Sequence, residues 1–204
     1  MNRRGFIAGI AVGLMAIGLL GGCNFMSQDK AQPKSVAAPA TDGSGKNKKI
    51  LIAYFSYEGN TKGFAESIQK QIGGDLFAIE PQDAYPKDRD KVIEQAKGEV
   101  ESKYKPKLVN NVADIRSYDV IFIGTPIWWY TISPPVRTFL SEYDLAGKTV
   151  VPFSTHKGSG LSGIDKTIKE IHPTAKVLEG FAIWDGQVNS KQVDISNWLQ
   201  KLKI

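Results

Sequence analysis

The sequence predicts a three-layer, doubly wound α/β fold in which helices cover both faces of a five-stranded parallel sheet. Five short apolar runs alternate along the chain with segments of helical periodicity, which is typical of this architecture. The first run, residues 50–55, is apolar without alternation, as expected of a strand buried on both faces. Right-handed crossovers and the strand order 2-1-3-4-5 would bring the ends of strands one, three and four to a common crevice.

The N-terminal residues do not fit this pattern. Arg3 and Arg4 precede an apolar segment, residues 5–20, that is too short for a comfortable membrane span but suits the core of a signal peptide. From the last residue of this segment the chain reads Leu20-Gly21-Gly22-Cys23, which resembles the lipobox of bacterial lipoproteins. This resemblance implies that residues 1–22 are a signal peptide and that Cys23 is lipidated. A plain signal peptide or a single anchor helix is the alternative.

The arginine pair and the following Gly5-Phe6-Ile7 also resemble a twin-arginine export signal. That route carries folded proteins, so a cofactor could be loaded before export. The pair can equally be an ordinary basic n-region. In either case we expect an exported protein that is anchored by lipid on the extracytoplasmic side of a bacterial membrane. The inner and the outer membrane are both alternatives for the anchor.

Residues 23–48 are predicted to be a lipidated tether. They are rich in Ser, Ala, Pro, Lys and Gly and show no apolar periodicity, so they cannot form a packed core. The folded domain is therefore expected to cover residues 49–204.

Local signals predict each element of that domain. On the first helix, apolar residues recur at helical spacing and a glycine pair ends the element: Phe64, Ala65, Ile68, Ile72 and Gly73-Gly74. The later strands are predicted at residues 75–80, 120–124, 149–153 and 176–183. The later helices are predicted at residues 88–103, from Pro134 or Pro135 onward, at residues 164–171, and at residues 193–202. On two of these helices, Ile93 and Val193 are assigned to the inner face and Trp198 to the core. Pro152 lacks a backbone donor, and we expect it near the end of its strand, where pairing has stopped.

The composition excludes some classes of function. The chain has 26 Lys and Arg against 21 Asp and Glu, two of the basic residues belong to the signal segment, and no dense basic and aromatic patch predicts a nucleic-acid partner. Cys23 is the only cysteine, so redox chemistry must come from a bound cofactor. His156 and His172 are too far apart to suggest a metal site. His172 is interpreted as structural, and His156 as either a proton donor at the crevice or a solvent-facing residue.

Three loops are expected at the crevice, and they comprise residues 56–61, 125–135 and 154–163. The first lies between a buried strand and a helix N-terminus, where unpaired N–H groups and the helix dipole favour a phosphate. Ser56, Asn60 and Thr61 add side-chain donors, and Gly59 permits a tight turn. The alternative is an ordinary connection in which Thr61 or Asn60 caps the helix.

The second and third loops suit a planar ligand. Trp128, Trp129 and Tyr130 are adjacent and cannot all face one core from a loop, so at least one is expected to be exposed at the crevice. A planar ligand would account for an exposed ring of this size. The alternative is that these rings pack against the neighbouring helix. The third loop is rich in glycine, which lets backbone N–H groups approach the polar edge of a ligand. Its G-x-G-x-x-G pattern lies too far from the strand to be a dinucleotide fingerprint.

The motifs resemble those of a known family. Ser56-x-x-Gly59-Asn60-Thr61 resembles the phosphate loop of flavodoxins, [ST]-x-T-G-x-T, and residues 124–129, 135–140 and 154–160 are similar to the flavodoxin-like subgroup with a WW loop. Glu58 departs from the pattern because the family usually has threonine there. A carboxylate would repel a phosphate, so Glu58 must point outward or the loop makes one contact fewer.

The resemblance implies that the cofactor is FMN and that the fold is flavodoxin-like. It assigns to the phosphate Ser56, Tyr57, Gly59, Asn60 and Thr61; to the ring Trp128, Trp129 and Tyr130; and to the ring's edge Thr155, His156, Lys157, Gly158, Ser159 and Gly160. It assigns no metal and no catalytic residue. We also expect Lys157 to stabilise a reduced, anionic flavin ring.

The leading hypothesis is an FMN-binding protein that exchanges electrons with a redox partner protein or a small-molecule acceptor. An NAD(P)H-dependent quinone or flavin reductase on the same fold is the second hypothesis. A lipid-anchored binding module without flavin is the third, and Glu58 is its best support.

Overall fold

A computed structural model describes residues 48–204 of the chain. The predictions for the signal peptide, for Cys23 and for nearly all of the tether lie outside these residues. Within the described range, no helix combines the length and the apolar character needed to cross a membrane.

A parallel sheet forms the centre of the domain. Its strands are β1 (Ile50–Tyr54), β2 (Asp75–Ala78), β3 (Val120–Trp128), β4 (Thr131–Ile132), β5 (Thr149–His156), β6 (Lys176–Val177) and β7 (Phe181–Trp184). The parallel order is β2-β1-β3-β5-β6; β7 also pairs parallel with β5, and β4 pairs antiparallel with β3. The predicted order is confirmed, because the fourth predicted strand is β5 and the fifth consists of β6 and β7.

Within residues 48–204, five helices connect and cover the strands. They are α1 (Asn60–Ile72), α2 (Arg89–Glu101), α3 (Pro134–Glu142), α4 (Ile164–Ile171) and α5 (Gln192–Leu202). Short 3₁₀ turns occupy Ile115–Ser117 and Val188–Lys191. Helix α1 ends at the predicted glycine pair, and α3 begins at the predicted prolines.

The two faces of the sheet are covered by different helices. Leu51 and Ala53 point toward a core completed by α2, α3 and α4, whereas Ile52 and Tyr54 point toward a core completed by α1 and α5. Alternate residues of a strand point to opposite faces, so only a continuous apolar run can fill both cores. The three-layer architecture follows from this double burial.

Two predicted loops are partly strand. β3 continues past Gly124 to Trp128, and a hairpin then returns through β4. β5 continues past Phe153 to His156. Both strands are therefore longer than predicted, because their pairing with neighbouring strands extends beyond the apolar runs from which they were predicted.

Pro152 lies inside β5, not near its end, so that prediction is wrong. It faces Ile123 of β3 in a continuous register. The carbonyl of Val150 accepts from the N–H of Leu178 at 2.9 Å, and residues two apart on a strand share a side, so the donor that Pro152 lacks faces the edge of the sheet. At this edge, residues 151–152 of β5 lie opposite the three residues 178–180, which form a bulge between β6 and β7.

Two side chains assigned to inner helix faces are in fact exposed. Ile93 of α2 is 42% exposed, and Val193 at the start of α5 is 72% exposed. Trp198 is buried among Phe64, Phe122 and Phe181, as predicted. β2 also ends earlier than predicted, at Ala78.

Candidate functional site

A cavity of about 560 Å³ opens at the carboxyl ends of β1, β3 and β5. This volume is within the range of small-molecule sites. The predicted site residues that line it are Ser56, Tyr57, Asn60, Thr61, Trp128, Trp129, Tyr130, Thr155, His156, Lys157, Gly158 and Ser159. Gly59 and Gly160 belong to the same loops but are not part of the lining.

The loop after β1 has the geometry of an anion site. Gly59 precedes α1 in the left-handed region, with φ 89°, and no side chain in the described part of the chain caps the helix. The alternative role of Thr61 or Asn60 as a cap is therefore wrong. The first N–H groups of a helix have no partner within the helix and carry the positive end of its dipole, so this terminus favours a negatively charged group.

Three hydroxyl groups surround this terminus. Within the described residues, Ser56 Oγ is buried and has no hydrogen-bond partner. Thr61 Oγ1 and Thr155 Oγ1 lie 2.9 Å apart, and both residues are about 1% exposed. Only one proton of this pair is used in their mutual bond, so the other remains available to a ligand oxygen. Buried polar atoms are usually paired, and an unpaired donor here fits a bound phosphate.

Three charged side chains from different loops lie close together, and one of them, Glu58, belongs to the loop after β1 (residues 56–61, the anion loop). Lys157 Nζ lies 3.8 Å from Glu58 Oε2 and 3.9 Å from Asp185 Oδ2. All three residues line the cavity, so Glu58 is not turned away from the site but is paired at its margin. The partnership was not predicted, because these residues are far apart in sequence.

A further contact joins the anion loop to the turn after β7. The N–H of Gly186 donates to Asn60 Oδ1 at 3.2 Å. The amide of Asn60 therefore has its oxygen committed within the protein, and its nitrogen is the group suited to an anion. The contact also holds Asp185 close to the anion loop.

The aromatic residues of the second loop have different surroundings. Trp128 packs edge-on against Phe55, Tyr57 and Tyr85, with ring centroids 5.5, 6.0 and 4.9 Å away. Trp129 and Tyr130 form the two-residue turn of the β3–β4 hairpin and are 45% and 77% exposed. The prediction that at least one ring is exposed at the crevice is confirmed.

The hairpin turn holds these rings in an unusual backbone conformation. Trp129 and Tyr130 have φ of 48° and 61°, as a type I′ turn requires, although that turn favours Asn and Gly. Trp129 also contacts α2. Its Nε1 donates to the carbonyl of Ile93 at 3.4 Å, and Lys97 Nζ lies 5.6 Å from its ring centroid. The alternative of packing against a helix thus applies to one face of Trp129.

Helix α2 forms a wall of the cavity that was not predicted as part of the site. Arg89, Val92, Ile93 and Ala96 line the cavity beside the hairpin. The helical spacing of Val92, Ile93 and Ala96 predicted a buried stripe, and nothing local distinguishes a residue buried in the core from one facing a cavity. Pro126, Ile127 and Asp185 are further lining residues that motif analysis missed.

The two histidines have distinct roles. His156 lines the cavity and its Nδ1 accepts from the N–H of Gly158 at 2.9 Å, so the neutral ring carries its proton on Nε2. His172 is buried at the end of α4, where Nε2 donates to the carbonyl of Leu140 at 2.8 Å. The structural interpretation of His172 is confirmed. No group of three potential metal ligands occurs within residues 48–204.

The site therefore combines a helix terminus that favours an anion, a set of aromatic rings and a glycine-rich edge in one cavity. A planar aromatic phosphate monoester matches this arrangement: the phosphate fits the Ser56 hydroxyl and the helix terminus, and the rings suit an aromatic head group.

Comparison with known proteins identifies the family. Residues 49–202 match the family model described as Flavodoxin. A crystal structure from Bacteroides eggerthii shares 32% sequence identity with a TM-score of 0.69, and the match covers 77% of this chain and 99% of that one. A flavoprotein of Lactobacillus acidophilus, solved in complex with FMN, shares 26% identity with a TM-score of 0.57 over 72% of this chain and 99% of the other. No curated protein matches the chain. The chain belongs to the flavodoxin family.

Proposed function

We propose that this protein binds FMN and transfers electrons at the extracytoplasmic face of a bacterial membrane. The observation that carries the proposal is the buried, unpartnered Ser56 hydroxyl at an anion-binding helix terminus, in the same cavity as exposed aromatic rings. The FMN complex of the Lactobacillus acidophilus flavoprotein supports it.

In this proposal the phosphate is bound by Ser56, Asn60, Thr61 and the N-terminus of α1. The hairpin rings of residues 128–130 cover the isoalloxazine and exclude water from it. Residues 159 and 160 of the third loop meet its polar edge through backbone N–H groups, and His156 meets it through its side chain. FMN, when bound, supplies the redox chemistry, and the chain binds, orients and shields it.

The test is whether the purified protein is yellow or becomes so. We expect a flavin absorption band after purification or after addition of FMN, and quenching of FMN fluorescence with a Kd at or below the micromolar range. A colourless protein that leaves micromolar FMN unbound would refute the proposal and favour the third hypothesis, a binding module without flavin.

The reductase hypothesis has one structural observation in its favour. Ile93 and Arg89 line the cavity beside the hairpin, and they offer an apolar wall and a cation to a second small molecule. Rapid bleaching of bound FMN by NADPH, followed by reoxidation with a quinone, would establish this activity. Bleaching only by a protein reductant would favour the carrier.

The membrane anchor requires a separate test. We expect Cys23→Ser to abolish palmitate incorporation and to move the protein from the membrane fraction to the soluble fraction. Changing Arg3 and Arg4 to lysine should block export if the twin-arginine route is used. Unaltered export would assign the protein to the general route.

A further inference from the structure

We propose that Lys157 is the counter-ion of the ligand's phosphate, and that Glu58 and Asp185 hold it in place until the ligand binds. The site would then select a phosphorylated flavin over riboflavin through this lysine. The inference rests on the proposed function, because it assumes that FMN occupies the cavity.

The first step of the argument is the charge of the anion loop. Glu58 places a carboxylate beside a helix terminus that is otherwise suited to an anion, and it lines the same cavity as Ser56 and Thr61. Two negative groups at short range disfavour each other, so a phosphate would bind weakly unless a cation offsets Glu58. Lys157 is the cation that the structure brings to Glu58.

The second step is the way in which Lys157 is held. Its ammonium lies 3.8 Å and 3.9 Å from the two carboxylates, at the long end of ion-pair distances. The side chains of Lys157 and Glu58 are 52% and 49% exposed, so their attraction is screened by solvent and is easily exchanged for another partner. A lysine has a flexible stem and three donors, which allows it to turn from a carboxylate to a phosphate.

The third step is the position of the three loops. Lys157 directly follows β5, Glu58 lies in the loop after β1, and Asp185 directly follows β7. The Gly186 N–H bond to Asn60 ties the last of these loops to the anion loop. The fold therefore delivers the ammonium group to the margin of the phosphate site, and the partners that hold it there belong to separate strands.

The sign of each substitution follows. Lys157→Gln leaves Glu58 and Asp185 without their cation, so FMN affinity should fall, by about tenfold or more. Glu58→Gln removes a repulsive charge, so FMN affinity should rise. The double variant should return toward the wild-type value. Riboflavin lacks the phosphate, and its affinity should change less than about twofold in every variant.

The experiment measures the Kd values of FMN and riboflavin for the full-length protein and these variants, by flavin fluorescence. Lys62→Gln is the matched control. Lys62 forms an ion pair with Glu66 at the same distance and with similar exposure, but neither residue lines the cavity. This control changes the net charge equally and should leave the ratio of the two Kd values unchanged.

Competition by inorganic phosphate provides a second readout. Phosphate should displace FMN from the wild type at lower concentration than from Lys157→Gln. The proposal is overturned if Lys157→Gln weakens FMN and riboflavin equally, if it has no effect, or if Lys62→Gln has the same effect. A changed midpoint potential of bound riboflavin would instead assign Lys157 to the ring. Failure of the wild type to bind FMN would refute the proposed function itself.

Discussion

The ring of Phe153 occupies the space that a side chain on Gly124 would need. A Cβ atom at Gly124 would lie 2.2 Å from Cζ of Phe153. The two residues face each other in register on β3 and β5, whose ends carry the second and third loops of the site. The absence of a side chain at Gly124 thus leaves room for the fully buried phenyl ring to pack over β3 on one face of the sheet.

Gly124→Ala is expected to lower the free energy of unfolding by about 1–3 kcal/mol, because the methyl group overpacks a rigid core. Urea unfolding followed by circular dichroism would measure this. Gly98→Ala is the control: no atom of residues 48–204 outside the helix backbone lies within 4 Å of its Cβ position on α2, and alanine there should stabilise the protein by about 0.5–1 kcal/mol. A neutral Gly124→Ala would show that Phe153 can move aside.

Ser56→Ala is expected to have opposite effects on stability and on binding. Removing an unpartnered buried hydroxyl should stabilise the ligand-free protein by about 1 kcal/mol. The loss of a hydrogen bond to a charged phosphate should weaken FMN binding by roughly tenfold. Thermal unfolding without ligand and fluorescence titration with FMN measure the two effects.

Ser67→Ala provides the contrast. Ser67 Oγ donates to Gln192 Oε1 at 2.6 Å, away from the cavity. Its removal should reduce stability by about 1 kcal/mol and leave FMN affinity unchanged. If Ser56→Ala also reduced stability and left binding intact, the assignment of Ser56 to the phosphate would be wrong.

The double substitution Trp129→Asn with Tyr130→Gly is expected to stabilise the ligand-free protein. Both residues have positive φ, which costs about 1 kcal/mol each for a bulky side chain, and Asn-Gly is the preferred pair for a type I′ turn. The same change removes two rings from the cavity, so FMN affinity should fall.

The measurements are the unfolding free energy and the FMN Kd of the same preparation. Lys103→Gly is the control, because Lys103 also has positive φ, 55°, but does not line the cavity. It should raise stability and leave the Kd unchanged. Unchanged FMN affinity in the hairpin variant would exclude these rings from the flavin site.

The hydroxyl of Tyr85 should cause the free energy of unfolding to decrease as the pH rises into the alkaline range. Burial and the hydrogen bond that its hydroxyl donates to Glu99 at 2.5 Å raise the pKa of Tyr85 well above 10.0, the usual value. Its contribution to stability is therefore complete below about pH 10, where unfolded tyrosine titrates, and is lost as the pH rises above that value. Tyr85→Phe should reduce stability by about 1.5 kcal/mol at neutral pH.

The difference between wild type and Tyr85→Phe should shrink above pH 10, as measured by urea unfolding across pH 7–11. The pKa values of Tyr54 and Tyr118 are also raised by burial, and both remain in the variant, so the difference isolates Tyr85. Tyr104→Phe, at a residue 49% exposed, should have little effect. A difference that is constant with pH would contradict the prediction.

Local signals predicted most of the elements correctly. α4 has the predicted bounds, residues 164–171, and α1 ends before the predicted glycine pair. Apolar periodicity and helix-ending residues act within a few positions, so they can be recognised without the fold. The hairpin turn at Trp129 and Tyr130 lacks the Asn or Gly by which such a turn is recognised in a sequence. This segment was predicted as a loop for that reason.

The sequence by itself determined the layered fold and the three loops that line the cavity. These depend on apolar runs and on loop residues that lie next to one another in the chain. Only the tertiary structure decided that Lys157 faces Glu58, that α2 forms a wall of the cavity, and that the edge of the sheet bulges beside Pro152. Each of these is a contact between distant segments, and such contacts depend on strand register and on helix placement, which no short stretch of sequence contains.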